Sequence, residues 1–111
     1  MNVKEIAEKL NLKVLSGASG LSNEISFGYA SDLLSDVMGN AKSGEVWITL
    51  QTHKNVMAIA SLKDLAAVIL VSGLQPESDM AAQSDEEGIP VLSSSEDAFT
   101  LIGKLYELLK K

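Results

Sequence analysis

The side chains of this sequence with the most chemical potential are gathered in Gln51-Thr52-His53-Lys54-Asn55. The segment follows the apolar run Val46–Leu50 and precedes a helical pattern from about Asn55 to Lys63, so it reads as a turn from a buried strand into a helix. Backbone N–H groups at such a turn, with the positive end of the helix dipole behind them, favour an anion. Lys54 adds a charge and Thr52 a hydroxyl. Ser72-Gly73 end a second apolar run, Ala67–Val71, and the glycine lets a backbone or a ligand approach closely. Ser31-Asp32 end an earlier strand. In parallel sheets, ligands gather at the C-terminal ends of strands where connections diverge. The pattern therefore predicts a rim of Ser31, Thr52, His53, Lys54, Ser72 and Gly73 that binds a small phosphate-bearing ligand. The plainer alternative makes Thr52 or His53 a helix cap, Gly73 a turn residue and Ser31 an N-cap.

The same residues argue against catalysis. His53 is the sole histidine and cysteine is absent. A lone histidine among scattered acids is not a zinc pattern, and no nucleophile is placed beside it as a general base would require. No G-x-x-x-x-G-K-[ST] loop occurs, which rules out a P-loop kinase within these residues. Asp32 and Asp36 lie four apart on an expected helix from Asp32 to Met38, where they read as an exposed polar stripe. The expectation is no catalytic residue, no metal and no cofactor.

The formal charge is −6, from nine lysines, no arginine and fifteen acids. The lysines are scattered, and only Lys110 and Lys111 adjoin, so neither nucleic acid nor an anionic membrane surface is an expected partner. Apolar runs are a few residues long, far short of the ~18 needed to span a bilayer. The start, Met-Asn-Val-Lys-Glu, has no apolar signal core. A cytoplasmic location and one domain over residues 1–111 are the simplest expectations.

The elements that must position the rim are legible from spacing. Asn2 and Glu5 form a capping-box pattern, followed by Val3, Ile6, Ala7 and Leu10 on one helical face. Lys13–Leu15 and Glu24–Tyr29 read as short strands, with Ile25 and Phe27 on one side. Ser31 is the expected N-cap of the Asp32–Met38 helix, which Gly39-Asn40 closes. Val46–Leu50 and Ala67–Val71 are apolar on both faces, as strands buried in a parallel sheet are. Pro76 is expected in the first turn of a helix that Gly88 ends, and Ile89–Leu92 is a short strand near a sheet edge. Ala98, Leu101, Ile102, Leu105, Leu108 and Leu109 repeat with helical period, with Ser94 or Ser95 as the expected cap. Trp47, Met38, Met57 and Met80 are assigned to the core. Alternating strands and helices imply an α/β three-layer sandwich with a mainly parallel sheet.

Phe99, Ile102 and Tyr106 widen the apolar face of the last helix and mark a candidate interface for a homodimer, the alternative being that they wrap the chain's own core.

Several segments together resemble the DRTGG domain and, more distantly, the N-terminal domain of bacterial HPr kinase/phosphorylase. The opening Val3–Gly17 looks like the start of both, as does the stretch from Ala67 through Ser72-Gly73-Leu74, Pro76 and Glu77 to Glu86-Glu87-Gly88-Ile89-Pro90-Val91-Leu92. Val46-Trp47-Ile48-Thr49 sits between them at suitable spacing. The signature departs from the family pattern: the Thr-Gly-Gly element falls on Val71-Ser72-Gly73, and the Asp-Arg element near Thr52-His53, in a chain without arginine. The resemblance implies a fold similar to the N-terminal domains of HPr kinase and Mur ligases. It also implies a non-catalytic regulatory or accessory role, since such domains are attached to phosphotransacetylase and to CBS-containing pyrophosphatases. Short standalone versions occur in anaerobic bacteria, often encoded near hydrogenase subunits. The alternative is therefore a protein-interaction adaptor without a ligand, associated with an anaerobic redox enzyme such as a hydrogenase.

Overall fold

Asn2 and Glu5 cap the first helix reciprocally in the computed structural model, which describes all 111 residues. The Asn2 side chain accepts from the Glu5 N–H at 2.9 Å, and the Glu5 carboxylate accepts from the Asn2 N–H at 3.1 Å. The elements in order are α1 (Val3–Lys9), β1 (Lys13–Ser16), β2 (Gly28–Ala30), α2 (Leu34–Asn40), β3 (Val46–Thr49), α3 (Asn55–Leu62), β4 (Ala67–Leu70), α4 (Ser78–Glu87), β5 (Val91–Ser93) and α5 (Ala98–Leu109). One sheet runs β1-β5-β4-β3-β2; β2 to β5 are mutually parallel, and β1 pairs antiparallel with β5.

Every residue of β3 and β4 is buried, because both faces of the sheet are covered. Side chains alternate between two cores, as the period of two in a strand requires. Val46, Ile48, Ala67, Ile69 and Leu92 pack with Val3 and Ile6 of α1 and Leu101 and Leu105 of α5. Trp47, Val68, Leu70 and Val91 pack with Val37 of α2, Val56, Met57 and Ala60 of α3, and Met80 of α4. The result is the expected three-layer sandwich: α2, α3 and α4 on one face, α1 and α5 on the other. Strands β2 to β5 step across the sheet in one direction with all three intervening helices on one face, so every crossover has the same hand. No helix is long and apolar enough to cross a membrane.

Several expectations are corrected. The strand expected over Glu24–Tyr29 is confined to Gly28–Ala30. Upstream, Ile25 and Ser26 give their N–H groups to Met1 and Gly44, and Glu24 makes an isolated bridge with Asn2. Ile25 is buried while Phe27 is exposed, so the two do not share an environment. Ser31 does not cap α2: Leu33 occupies that position, and the Ser31 hydroxyl accepts from the Leu33 N–H instead. Pro76 precedes α4 by two residues rather than entering its first turn. Asp97, not Ser94 or Ser95, caps α5, accepting from the Phe99 and Thr100 N–H groups. Strand β5, by contrast, lies near the sheet edge as expected, one place inside β1. Met57 and Met80 are fully buried, but Met38 is exposed on the outer face of α2.

Candidate functional site

The six rim residues all lie in loops that leave the C-terminal ends of β2, β3 and β4, and their partners divide them into three groups. Ser31 follows β2. Its carbonyl accepts from the indole N–H of the buried Trp47 at 2.8 Å, which fixes the loop to the core. With Asp32, Thr49, Leu50, Val71, Ala98 and Ile102 it lines a cleft of about 200 Å³ that none of the other five rim residues lines.

Asp32 is the residue that spacing misread. It lies outside α2 and turns toward β3, where one carboxylate oxygen accepts from the Thr49 hydroxyl at 2.8 Å and the Leu50 N–H at 2.7 Å. Its carbonyl accepts from the Gln51 side chain. Asp36, inside α2, accepts instead from the Tyr29 hydroxyl and the Asn40 amide, both at 2.9 Å. The two acids therefore form no shared stripe. Hydrogen bonding from Ser31, Tyr29 and Asn40 holds the Asp36 carboxyl below the usual carboxylate range, and the same carboxylate raises the Tyr29 hydroxyl above its own.

Thr52, His53 and Lys54 form the turn from β3 into α3. Glu77, in the loop before α4, faces them: its carboxylate is 3.2 Å from His53 Nδ1 and accepts from the Thr52 hydroxyl at 3.4 Å. The Glu77 N–H donates to the Thr52 carbonyl at 3.0 Å. No side chain caps α3. The N–H groups of His53, Lys54 and Asn55 find no acceptor within the chain, and the exposed Lys54 ammonium makes no ion pair. The turn thus presents free donors with one carboxylate already beside them. Sequence reasoning did not place Glu77 here, because the contact spans more than twenty residues and depends on how the loop before α4 folds back.

Ser72 and Gly73 both have left-handed backbone, with φ of 57° and 69°. Their N–H groups donate to the carbonyls of Glu96 and Ser94, each at 2.8 Å. This binding of two loops has a topological meaning. Connections leaving β2, β3 and β4 all go to the α2–α4 face, and only the one leaving β5 goes to the other. The outgoing chains therefore diverge between β4 and β5, not between β3 and β4, and the Ser72–Glu96 and Gly73–Ser94 hydrogen bonds close that crevice.

Of the three interface candidates, Ile102 and Tyr106 line an apolar groove of about 90 Å³ between α5 and the edge strand β2, together with Phe27, Tyr29 and Leu109. The Phe27 and Tyr106 rings meet edge to face, centroids 5.7 Å apart. Phe99 stands outside the groove with 87% of its surface exposed, and Tyr106 is 53% exposed. These aromatics do not wrap the core.

No curated protein matches the chain. Among solved structures, it is similar to the CBS and DRTGG domains of the regulatory region of Clostridium perfringens pyrophosphatase, complexed with its activator diadenosine tetraphosphate. The TM-score is 0.69 at 13% identity, covering 94% of this chain and 45% of that one, so this chain spans less than half of its length. The likeness at that identity concerns the fold. The model of the DRTGG domain matches residues 5–108, nearly the whole chain, and this chain belongs to the DRTGG domain family.

Proposed function

We propose that this chain is a non-catalytic regulatory or accessory module that binds a small phosphate-bearing ligand at the C-terminal ends of its central strands. The observation that carries this reading is the run of N–H groups at His53, Lys54 and Asn55 without acceptors, set at the positive end of α3 beside the unpaired Lys54 ammonium. A phosphate oxygen accepts such donors readily, and the charge strengthens each bond. Ser31, Thr52, His53, Lys54, Ser72 and Gly73 are the residues of the rim, with Glu77 as an internal carboxylate that a ligand anion must displace. Family membership supports a regulatory role, since the pyrophosphatase carries its DRTGG domain within a regulatory region. The test is thermal unfolding with inorganic pyrophosphate, ADP and diadenosine tetraphosphate as probes. A ligand held only by the folded state raises the melting temperature by mass action. The expected rise disappears in Lys54→Ala; no rise with any probe overturns the reading.

A second reading, an adaptor that docks a partner protein, is favoured by the exposed aromatics of α5. Phe99, Ile102 and Tyr106 form the interface in either case, and a homodimer is the expected assembly. Sedimentation equilibrium then gives twice the 11.8 kDa chain mass, whereas a clean monomer counts against this interface.

A further inference from the structure

Four serines of this protein are buried: Ser16, Ser84, Ser93 and Ser94. Three spend their hydroxyl protons inside the fold. Ser16 donates to the Ser84 oxygen at 2.9 Å, Ser84 to the Ile89 carbonyl at 2.7 Å, and Ser93 to the Leu74 carbonyl at 3.1 Å. Ser94 does not. Its oxygen accepts from the Glu96 N–H at 3.1 Å, but its proton meets no acceptor in the chain, although the residue is only 3% exposed. No buried side-chain atom of the chain is left without a partner, and the Ser94 hydroxyl, which accepts once, keeps its proton free for an acceptor from outside the chain.

Ser94 lines a cleft of about 250 Å³ with Lys9, Leu10, Asn11, Ser95, Glu96 and Lys104. Three other donors there, on Lys9, Asn11 and Ser95, are also uncommitted. Lys9 makes no ion pair, and neither the Ser95 hydroxyl nor the Asn11 side chain has a partner. Lys104 is paired with Glu96. Two ammonium groups thus face one carboxylate, a positive balance in a chain whose net charge is −6. The cleft opens where the chain leaves β5 for α5, beside the divergence between β4 and β5.

We infer that this cleft is a second anion site, in which the Ser94 and Ser95 hydroxyls and the Lys9 and Lys104 ammonium groups hold a phosphoryl group. The cleft shares no side chain with the turn at Thr52–Lys54, and either can bind without the other, although Ser72 and Gly73 donate to the Glu96 and Ser94 carbonyls. A tetrahedral dianion supplies the acceptor that Ser94 lacks and competes with Glu96 for Lys104.

Titration of the ¹⁵N-labelled protein with inorganic phosphate at constant ionic strength tests the assignment. Saturable shifts are expected at the amides of Lys9 to Asn11 and Ser94 to Glu96. Lys9→Gln, an exposed and unpaired position that leaves the fold intact, weakens the phosphate affinity there about tenfold, the loss a charge-assisted hydrogen bond carries. Ser94→Ala weakens it similarly and serves as the second variant. Shifts confined to Thr52–Asn55 overturn the second site while leaving the rim standing. Linear, non-saturating shifts, or affinity undiminished in both variants, overturn it as well.

Discussion

The two faces of the sheet are built from the same strands and end differently. On the α2–α4 face the core closes around Trp47, Met57 and Met80, all fully buried, and the Trp47 indole N–H is satisfied by the Ser31 carbonyl. On the α1–α5 face, only two helices cover five strands. The space beside edge strand β2 is left as an apolar groove, and Phe99 and Tyr106 remain in solvent. Three crossover helices suffice to seal one face because each sits between the strands it joins. The opposite face is covered by helices from the two ends of the chain, which have no such constraint. The sealed face carries stability, and the open one leaves surface available to a partner.

That contrast is sharpest at its aromatic residues. Trp47→Ala removes a fully buried ring and strands the Ser31 carbonyl, so a destabilisation of about 3–5 kcal/mol is expected from denaturant unfolding. Phe99→Ala on the open face changes stability by no more than about 0.5 kcal/mol, because little of the ring is covered. Its effect falls on the oligomeric state in sedimentation instead. Equal losses of stability from the two substitutions would break the comparison.

A second pair separates packing from exposure without touching an aromatic. A Cβ on Gly20 falls 2.0 Å from the Gly88 carbonyl oxygen, a backbone atom that the loop before β5 holds in place. Gly20→Ala is expected to cost at least about 1–3 kcal/mol through overpacking. Gly103 lies within α5 with nothing inside 4 Å of the same position. Gly103→Ala therefore stabilises by about 0.5–1 kcal/mol, through the entropy that glycine loses in a helix. Thermal unfolding that moves in opposite directions for the two variants is the expected result.

The parts of this fold that were legible in the sequence are those set by local chemistry or by burial on both sides. Asn2 with Glu5, the all-apolar runs of β3 and β4, and the helical stripe of α5 needed no knowledge of distant contacts. What was not legible depends on chain brought from elsewhere. The Glu24–Phe27 segment leaves strand geometry because Met1 and Gly44 take its N–H groups, and neither partner is visible from an alternating pattern. Asp32 leaves the helix because Thr49 and Leu50 offer it better donors. The rim shows the same limit. The turn at Thr52–Lys54 is legible from the strand before it and the helix after it, whereas Glu77, which alters its electrostatics, reaches it through a long-range loop. The serine inventory behind the β5 cleft likewise requires knowing which hydroxyls find acceptors across the fold.

Glu77 offers a direct way to sharpen the difference between the rim and the β5 cleft. Its carboxylate lies 3.2 Å from His53 and repels any anion that approaches the free N–H groups. Glu77→Gln removes that charge while keeping a hydrogen-bond acceptor for Thr52. Phosphate affinity at Thr52–Asn55 is expected to rise a few-fold, with no change at Ser94–Glu96. The shift amplitudes of the two amide clusters in one titration read both outcomes. A parallel rise at both would mean that only overall charge is being sensed.

The smallest expected effect is a pH dependence on the open face. Hydrogen bonding from Thr100, whose hydroxyl donates to Asp97 at 2.6 Å, holds the Asp97 carboxyl below its ordinary value of 3.8, with the Phe99 N–H contributing further. The unfolded chain then takes up a proton before the folded one as the solution is acidified. The stabilisation is therefore fully present above the ordinary carboxylate value and is lost as pH falls through the lowered folded value. Asp36 on α2 behaves with the same sign. Denaturant midpoints should decline below about pH 4, the range in which unfolded carboxyls titrate. Asp97→Asn keeps a capping oxygen for α5 but has no proton to gain, so it flattens that decline without abolishing it, because Asp36 remains. An unchanged slope in Asp97→Asn would mean that the Thr100 contact is too solvated to favour the charged form.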